Sequence, residues 1–228
     1  MILITGDTHG TADFYKLLSN RFKSLTKEDY MIICGDCGIL FNPMDAEYMI
    51  NLYSYLPFTV LFVDGNHENF DLINSFPIEL WNGGKIHRIS KSVIHLMRGQ
   101  VFDIGGRTFF TFGGAYSFDK AHRIPGISWW EEEMPKADEK QEGIKNLSRY
   151  NNNVDYIISH DCPTSLMDEV MIKSEKLQNE GKIIKPSNCI LQYFLETIVF
   201  DHWYFGHFHL DEEYDGKFSC LFRRVVEI

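Results

Sequence analysis

The sequence predicts an α/β fold built on two β-sheets. Residues 1–75 repeat a short apolar run, a polar loop and a stretch with apolar residues at helical spacing, which is typical of βαβ units around a parallel sheet. Residues 86–112 change to short apolar runs separated by glycine and polar turns, which predicts a second, mostly antiparallel sheet. The chain has 228 residues, of which 44% are hydrophobic, so a full core can form.

The first part of the chain supplies three units in which a strand leads through a polar loop to a helix. The carboxyl ends of such strands meet at the edge of the sheet where ligands bind. Hydrophobic periodicity predicts each element. The strands are predicted at 1–5, 30–34 and 59–63, and the helices at 11–23, 45–54 and 70–74.

The elements from residue 86 onward are less regular. Gly105-Gly106 separates two apolar runs and indicates a hairpin, as does Asp215-Gly216. Ser187 is predicted to cap a helix that reaches residue 200. Strands are predicted at 86–89, 93–97, 100–104, 108–112, 154–159, 202–205 and within 217–226, with further helices at 136–150 and after Pro163.

Two segments are more difficult to interpret. Within 113–135, Ser128 and Glu131 have the spacing of a capping box and predict the start of a helix. The adjacent pair Trp129-Trp130 indicates packing rather than recognition. Residues 174–185 are charged, and we interpret them as a candidate lid or variable insert.

Composition and charge restrict the location and partners of the protein. The formal net charge of −10 disfavours strong binding to duplex nucleic acid. No apolar run is long enough to span a membrane, and the first residues have the pattern of a strand rather than a signal peptide. Five irregularly spaced cysteines predict a reducing, cytoplasmic location. Cys34 and Cys37 form a C-x-x-C pair, for which a redox or zinc role is an alternative to simple packing.

Polar side chains that can bind metal ions follow five of the predicted strands. Taken singly, an Asp after a glycine is a turn or capping residue, and a His beside a strand is a structural one. Repeated at five strand ends, these residue types indicate a site. They are Asp7 and His9, Asp36, Asn66 and His67, His160, and His207 and His209.

The spacing and number of these residues indicate the kind of site. Residues i and i+2 of an extended segment point to one side, so Asp7 with His9, and His207 with His209, are expected to face one cavity. Carboxylate, imidazole and amide oxygen suit manganese, iron or zinc ions. Seven such ligands exceed the need of one ion with an open position, and suit two ions about 3.5–4 Å apart with one bridging carboxylate.

In this order, the motifs D-x-H at Asp7, G-D at Asp36, G-N-H-E at 65–68, a strand-end His160 and G-H-x-H at 206–209 resemble those of the calcineurin-like metallophosphoesterases. The resemblance extends over nearly the whole chain. It implies a four-layer αββα sandwich of two mixed β-sheets flanked by helices, formed as a single domain by residues 1–228. It also implies a dinuclear centre of divalent metal ions.

The resemblance also implies a role for each residue. Asp36 would bridge the two metal ions, and His67 would be a catalytic acid rather than a ligand. The two cations would convert a bridging water to hydroxide, which attacks the phosphate in line, while His67 assists the leaving group. The first metal would be held by Asp7, His9 and His209, and the second by Asn66, His160 and His207.

The sequence also departs from a pattern found in part of the family. Protein serine/threonine phosphatases extend the second motif to G-D-x-x-D-R-G, whereas this chain has Gly35-Asp36-Cys37-Gly38 followed by Ile39. This difference disfavours a protein phosphatase and leaves phosphate binding to other residues. Asn66, His67 and Arg123 are the candidate substrate-binding residues. Arg123 could alternatively be a solvated surface residue.

We therefore expect a metal-dependent phosphoesterase that hydrolyses a phosphate mono- or diester in a small substrate or nucleotide. One alternative is a non-catalytic, metal-binding interaction scaffold on the same fold. Another is a nucleotide or nucleic-acid phosphodiesterase. No membrane partner is expected, and the sequence does not specify an oligomeric state.

Overall fold

The computed structural model describes residues 1–174 and 184–228, and two mixed β-sheets form its centre. The first sheet has seven strands, with parallel pairing from β1 through β2 and β3 to β6 and antiparallel pairing at both ends. In spatial order they are β13 (Val225–Glu227), β1 (Ile2–Thr5), β2 (Tyr30–Ile33), β3 (Thr59–Phe62), β6 (Val93–Leu96), β5 (Gly84–Ser90) and β4 (Ile78–Trp81).

The second sheet has six strands. Its central strands, β12, β10, β9 and β8, pair in parallel, and an antiparallel strand lies at each edge. In spatial order they are β11 (Glu212–Tyr214), β12 (Phe218–Cys220), β10 (His202–Phe205), β9 (Tyr156–Ser159), β8 (Arg107–Phe112) and β7 (Gln100–Ile104). Both sheets are therefore mixed, as the four-layer prediction requires.

Helices cover the outer face of each sheet. Helices α1 and α2 pack on the first sheet, and α3, α4 and α5 pack on the second. Within the described residues, none of these helices combines the length and apolar composition needed to cross a membrane. Their bounds are α1 (Ala46–Ser54), α2 (Phe70–Ser75), α3 (Ala137–Ser148), α4 (Met167–Lys173) and α5 (Pro186–Thr197).

Three apolar clusters separate the four layers. Successive residues of β2 illustrate how this works, because side chains alternate between the two faces of a strand. Met31 and Ile33 pack with the helix-side cluster that includes Tyr53 of α1. Ile32 points the other way, into the cluster between the sheets that includes Phe109 of β8. A strand buried on both faces must be apolar throughout, which explains the continuous apolar runs in the sequence.

The structure corrects three local predictions. Residues 11–23 form two short 3₁₀ helices, Phe14–Leu18 and Asn20–Phe22, rather than one α-helix, because Ser19 between them is extended. Ser128 starts no helix; its hydroxyl accepts a hydrogen bond from the amide of Ile124 instead. Ser187 lies inside α5, where its hydroxyl donates to Asp161 rather than capping the helix.

The prediction that 86–112 forms one second sheet is also wrong. These residues do form antiparallel hairpins, but β5 and β6 join the first sheet, whereas β7 and β8 begin the second. The other predicted strands and helices are present with small shifts at their ends. Most of the candidate lid at 174–185 lies outside the described residues.

Candidate metal centre

The polar loops that follow β1, β2, β3, β9 and β10 meet at one place, and hydrogen bonds join them. The amide of His207 donates to the Asp7 carboxylate at 3.0 Å, although 200 residues separate the two in sequence. The amide of His67 donates to Asp36 at 2.8 Å. These bonds connect loops of both sheets, so the predicted site residues share one location.

Sharp backbone turns, rather than extended segments, bring these side chains together. His9, Asp36, His207 and His209 all have left-handed backbone conformations, with φ between 43° and 68°. Non-glycine residues rarely adopt this conformation, and such residues concentrate at functional sites. The expectation that the two i, i+2 pairs lie in extended segments is therefore wrong, although their side chains still converge.

One group of potential ligands contains Asp7, His9 and His209. Their ligand atoms all lie within 4.8 Å of one another. His209 Nε2 is 3.2 Å and His9 Nε2 is 3.9 Å from Oδ2 of Asp7. The structure thus places together the three residues predicted to hold the first metal.

A second group contains Asp7, Asp36 and His160, again with ligand atoms within 4.8 Å of one another. Asp36 lies between the two groups, because its Oδ2 is 3.5 Å from Nε2 of His9 and its Oδ1 is 3.3 Å from Nε2 of His160. Asn66 Oδ1 is 3.2 Å from the same His160 nitrogen. The His207 ring centroid is 4.9 Å from that of His160. All seven predicted ligands therefore belong to one cluster, in which Asp7 contributes to both groups.

Hydrogen bonds hold the inward orientation of two of the imidazoles. Nδ1 of His160 donates to the carbonyl oxygen of Cys34 at 2.7 Å. Nδ1 of His9 is bonded to the carboxylate of Asp13 at 2.9 Å. In both rings this leaves Nε2 facing Asp36, which is how outer residues orient metal-binding histidines.

The Asn66 amide is oriented in a similar way. Its Nδ2 donates to the hydroxyl of Ser117 at 3.1 Å, and this hydroxyl donates to Glu133 at 2.7 Å. The Ser117 amide donates to the other oxygen of the same carboxylate at 3.1 Å. Because the amide nitrogen is engaged there, Oδ1 of Asn66 faces the cluster.

The residues present fit divalent cations. Asp7 and Asp36 are both fully buried, yet within residues 1–174 and 184–228 no hydrogen-bond donor serves Oδ2 of either carboxylate. A buried carboxylate oxygen without a donor is unfavourable, and a cation between the two groups would satisfy both. Carboxylate and imidazole donors suit manganese, iron or zinc.

The electrostatics of the cluster agree with this fit. Burial opposes ionisation of Asp36, but the charges of His160 and His67 hold the pKa of the carboxyl well below its usual range. The pKa of Asp7 is lowered too, against burial, chiefly by the neighbouring imidazole of His209. Burial lowers the pKa of His160, yet Asp36 and Asp7 outweigh it and raise that pKa to about 9. Metal ions would therefore displace protons from imidazole, so binding is expected to weaken in acid.

His67 and Arg123 lie at the open side of the cluster. His67 is 28% exposed, and its Nε2 is 4.0 Å from Oδ2 of Asp36. Arg123 Nη2 is 3.0 Å from Nε2 of His67, and the same guanidinium pairs with Asp119 at 2.7 Å. Because the Arg123 side chain is 10% exposed, the alternative of a solvated surface residue is wrong.

The C-x-x-C pair belongs to the core. All five cysteines, each in the described part of the chain, are free thiols. Cys34 packs in the cluster between the sheets, whereas Cys37 packs in the cluster under the helices of the first sheet. Burial raises the pKa of both thiols. This placement favours packing over a redox or zinc role.

Sequence reasoning missed several residues that support the cluster. Asp13 could have been found, because it stands four residues after His9 and contacts it. Ser117 and Glu133 carry no such signal, since their partner Asn66 is far away in sequence. Phe222, whose ring stacks on His209 at 4.5 Å, and Phe118, whose ring stacks on His207 at 5.6 Å, also lie outside the motifs.

The chain is similar to two lariat debranching enzymes along nearly its whole length. The chain is 22% identical to the lariat debranching enzyme of Schizosaccharomyces pombe, over 98% of this chain and 53% of that protein. It is 20% identical to the lariat debranching enzyme of Drosophila pseudoobscura pseudoobscura, over 96% and 43% respectively. The chain thus spans about half the length of the curated relatives it matches.

A crystal structure of a phosphopantetheinyl hydrolase from Mycobacterium tuberculosis aligns with a TM-score of 0.44 and 16% identity, over 97% of this chain and 89% of that one. The profile of the calcineurin-like phosphoesterase family matches residues 1–211. This match covers most of the 228 residues, so the chain belongs to the calcineurin-like phosphoesterase family.

Proposed function

We propose that residues 1–228 act as one domain, a metal-dependent phosphoesterase that hydrolyses a phosphate mono- or diester. The observation that carries this proposal is the pair of buried Oδ2 atoms of Asp7 and Asp36, which accept no hydrogen bond from the described residues and lie among imidazole nitrogens. Family membership supports the same reaction class. The pairing of β13 with β1, extended by the bond from the amide of Ile228 to the carbonyl of Ile2, joins residues distant in sequence in one sheet and supports a single domain.

The proposed centre holds two divalent ions. Asp36 would contribute an oxygen to each ion, because its two oxygens face His9 and His160 respectively. When bound, the ions would supply the positive charge that activates a water molecule and neutralises the phosphate oxygens. The first ion would be held by Asp7, His9 and His209, and the second by Asn66, His160 and His207.

Three residues act on the substrate in this proposal. His67 donates a proton to the alkoxide that leaves the phosphorus, and its partly exposed ring beside Asp36 suits that role. Arg123 contributes a fixed positive charge next to His67, where it can attract a phosphate oxygen. Asn66 adds an amide close to the same phosphate. We assign the acid–base role to His67 because it lies beside the predicted metal ligands but is not one of them.

A phosphodiester is the substrate class to test first. Two relatives are named lariat debranching enzymes, and we infer that this chain also cleaves a diester, in a nucleotide or short nucleic acid. The net charge of −10 argues against binding extended duplexes. A non-catalytic scaffold is disfavoured because the predicted ligands and His67 are all present. Five free thiols support a reducing, cytoplasmic location.

Asp36→Asn tests the proposal directly. Wild-type protein loaded with Mn²⁺ should bind two ions and hydrolyse p-nitrophenyl phosphate or its bis-ester. The variant keeps the shape of the side chain but removes the bridging charge, so activity should fall by at least about 100-fold while the circular dichroism spectrum is retained. Asp215→Asn, in the exposed turn between β11 and β12, is the matched control.

Two results would contradict the proposal. Near-normal turnover by Asp36→Asn would remove the bridging role. If the reconstituted protein hydrolyses neither ester, bound ions would favour the scaffold alternative, and less than one bound ion per chain would exclude a metal-dependent phosphoesterase.

A further inference from the structure

We propose that the cavity next to His67 is a subsite for the leaving group, and that it accepts an uncharged, ring-bearing alcohol while disfavouring an anionic one. This inference rests on the proposed function, because it assumes that an alcohol is expelled beside His67. It adds a preference that follows from the walls of the cavity rather than from the metal cluster.

The cavity has the position and size of such a subsite. Its volume is about 300 Å³, and His9 and His67 are among the residues that line it. Sites for small molecules occupy roughly 300–1,000 Å³, so this one is large enough for a single ring-bearing group. A leaving group that receives a proton from His67 would enter this space first.

The walls suit a flat ring. Met49, which is buried, and Phe41 both line the cavity. Phe41 is 6.2 Å from the His67 ring and makes an edge contact with Trp130, whose indole nitrogen donates to Asp71 at 2.8 Å. These contacts hold the Phe41 ring in place before a substrate binds, which favours stacking of an aromatic or sugar ring.

One acidic side chain in the wall of the cavity opposes an anionic leaving group. The described residues that line it include Asp45 but no lysine or arginine. Asp45 precedes α1 and its side chain makes no capping hydrogen bond to that helix, so the carboxylate is available to accept a hydrogen bond from a ligand hydroxyl or amine. A second anionic group of the substrate at the Asp45 side of the cavity would meet this carboxylate, with no lysine or arginine among the described lining residues to offset it.

Two aryl phosphates of similar shape test this preference. The leaving group of 4-carbamoylphenyl phosphate is uncharged away from the reacting oxygen, whereas that of 4-carboxyphenyl phosphate carries a carboxylate. The ratio of their kcat/KM values is measured with the Mn²⁺-loaded wild type, Asp45→Asn and the remote control Asp215→Asn. Comparing ratios between variants cancels the different intrinsic reactivities of the two esters.

We expect Asp45→Asn to shift the ratio by about fivefold toward the carboxylate ester, since this is the effect of one partly screened charge at short range. Raising the salt concentration should shrink that difference, and Asp215→Asn should leave the ratio unchanged. Phe41→Ala should raise the KM of the carbamoyl ester roughly fivefold through lost ring contact.

The outcomes separate this inference from the proposed function. Suppose that the wild type hydrolyses both esters, that Asp45→Asn leaves the ratio of kcat/KM values unchanged, and that Phe41→Ala leaves the KM of the carbamoyl ester unchanged. The cavity is then not the leaving-group subsite, and this inference is overturned. If the Mn²⁺-loaded wild type hydrolyses neither ester nor the p-nitrophenyl compounds, the proposed function itself fails.

Discussion

Replacing Ser117 with alanine tests whether the orientation of Asn66 is important for metal binding. Ser117 is 1% exposed and lies between the Asn66 amide, at 3.1 Å, and the Glu133 carboxylate, at 2.7 Å. Without the hydroxyl, the amide nitrogen of Asn66 loses its partner and the side chain can rotate. The amide oxygen would then no longer be directed at the cluster.

Two magnitudes follow from this geometry. Removing an outer residue that orients a metal ligand costs about 10–100-fold in affinity, so the ion held by Asn66 should bind more weakly by that factor. Glu133 is fully buried. After the substitution it would keep only one of its two hydrogen bonds from residue 117, the one that the backbone amide donates at 3.1 Å. Weakening a buried hydrogen-bond pair in this way should lower the free energy of unfolding by about 1–3 kcal/mol.

The assay is calorimetric titration of Mn²⁺ into metal-free protein. One of the two binding steps should weaken, while the step assigned to Asp7, His9 and His209 keeps its affinity. Ser54→Ala is the matched control, because it removes a serine hydroxyl that bonds to Ser90 at 2.8 Å away from the cluster. This control should lower stability modestly without changing either step.

Normal folding of Ser117→Ala together with wild-type affinity for both ions would refute this role of Ser117. A uniform loss of affinity at both steps would also contradict it, because that result indicates general destabilisation rather than a misdirected Asn66.

Two further substitutions report on the fold around the site. Gly35→Ala should abolish metal binding, because a Cβ there would lie 2.2 Å from Nδ1 of His160. Gly106 is the control, because it has a similar φ of 77° but open space around it, so Gly106→Ala should lower the free energy of unfolding by only about 1–2 kcal/mol of backbone strain. Burial, aided by the charge of His95, lowers the pKa of His87 to about 4. Below the unfolded value of about 6.5 the unfolded chain therefore binds more protons, and stability should fall as the pH drops from 6.5 to 4. His87→Asn should remove up to about 3 kcal/mol of this fall in the free energy of unfolding, as measured by denaturant titrations at both pH values. The same change at exposed His122 should leave the fall intact.

The sequence by itself identified the candidate ligands and their approximate location. Asp7, Asp36 and Asn66 follow β1, β2 and β3, which are neighbours in the first sheet. Parallel strands joined by helices must present their carboxyl ends at one edge, and adjacent strands are about 4.8 Å apart. Residues at those ends are therefore close together whatever the details of the loops.

The assignment of the middle strands required the tertiary structure. A hairpin pattern describes the pairing of β5 with β6, and of β7 with β8, equally well. Nothing local indicates which sheet each hairpin joins, because that choice depends on contacts with distant strands: β6 pairs with β3, and β8 pairs with β9.

The surroundings of the ligands were likewise decided by the tertiary structure. His160 and His207 come from the second sheet, yet His160 faces Asp36 and the His207 amide bonds to Asp7, both from the first. Ser117 meets Asn66 across 51 residues of sequence. The sequence identifies polar residues at strand ends because strand periodicity is local. It cannot indicate which residues hold them in orientation, because those contacts form only when the two sheets pack together.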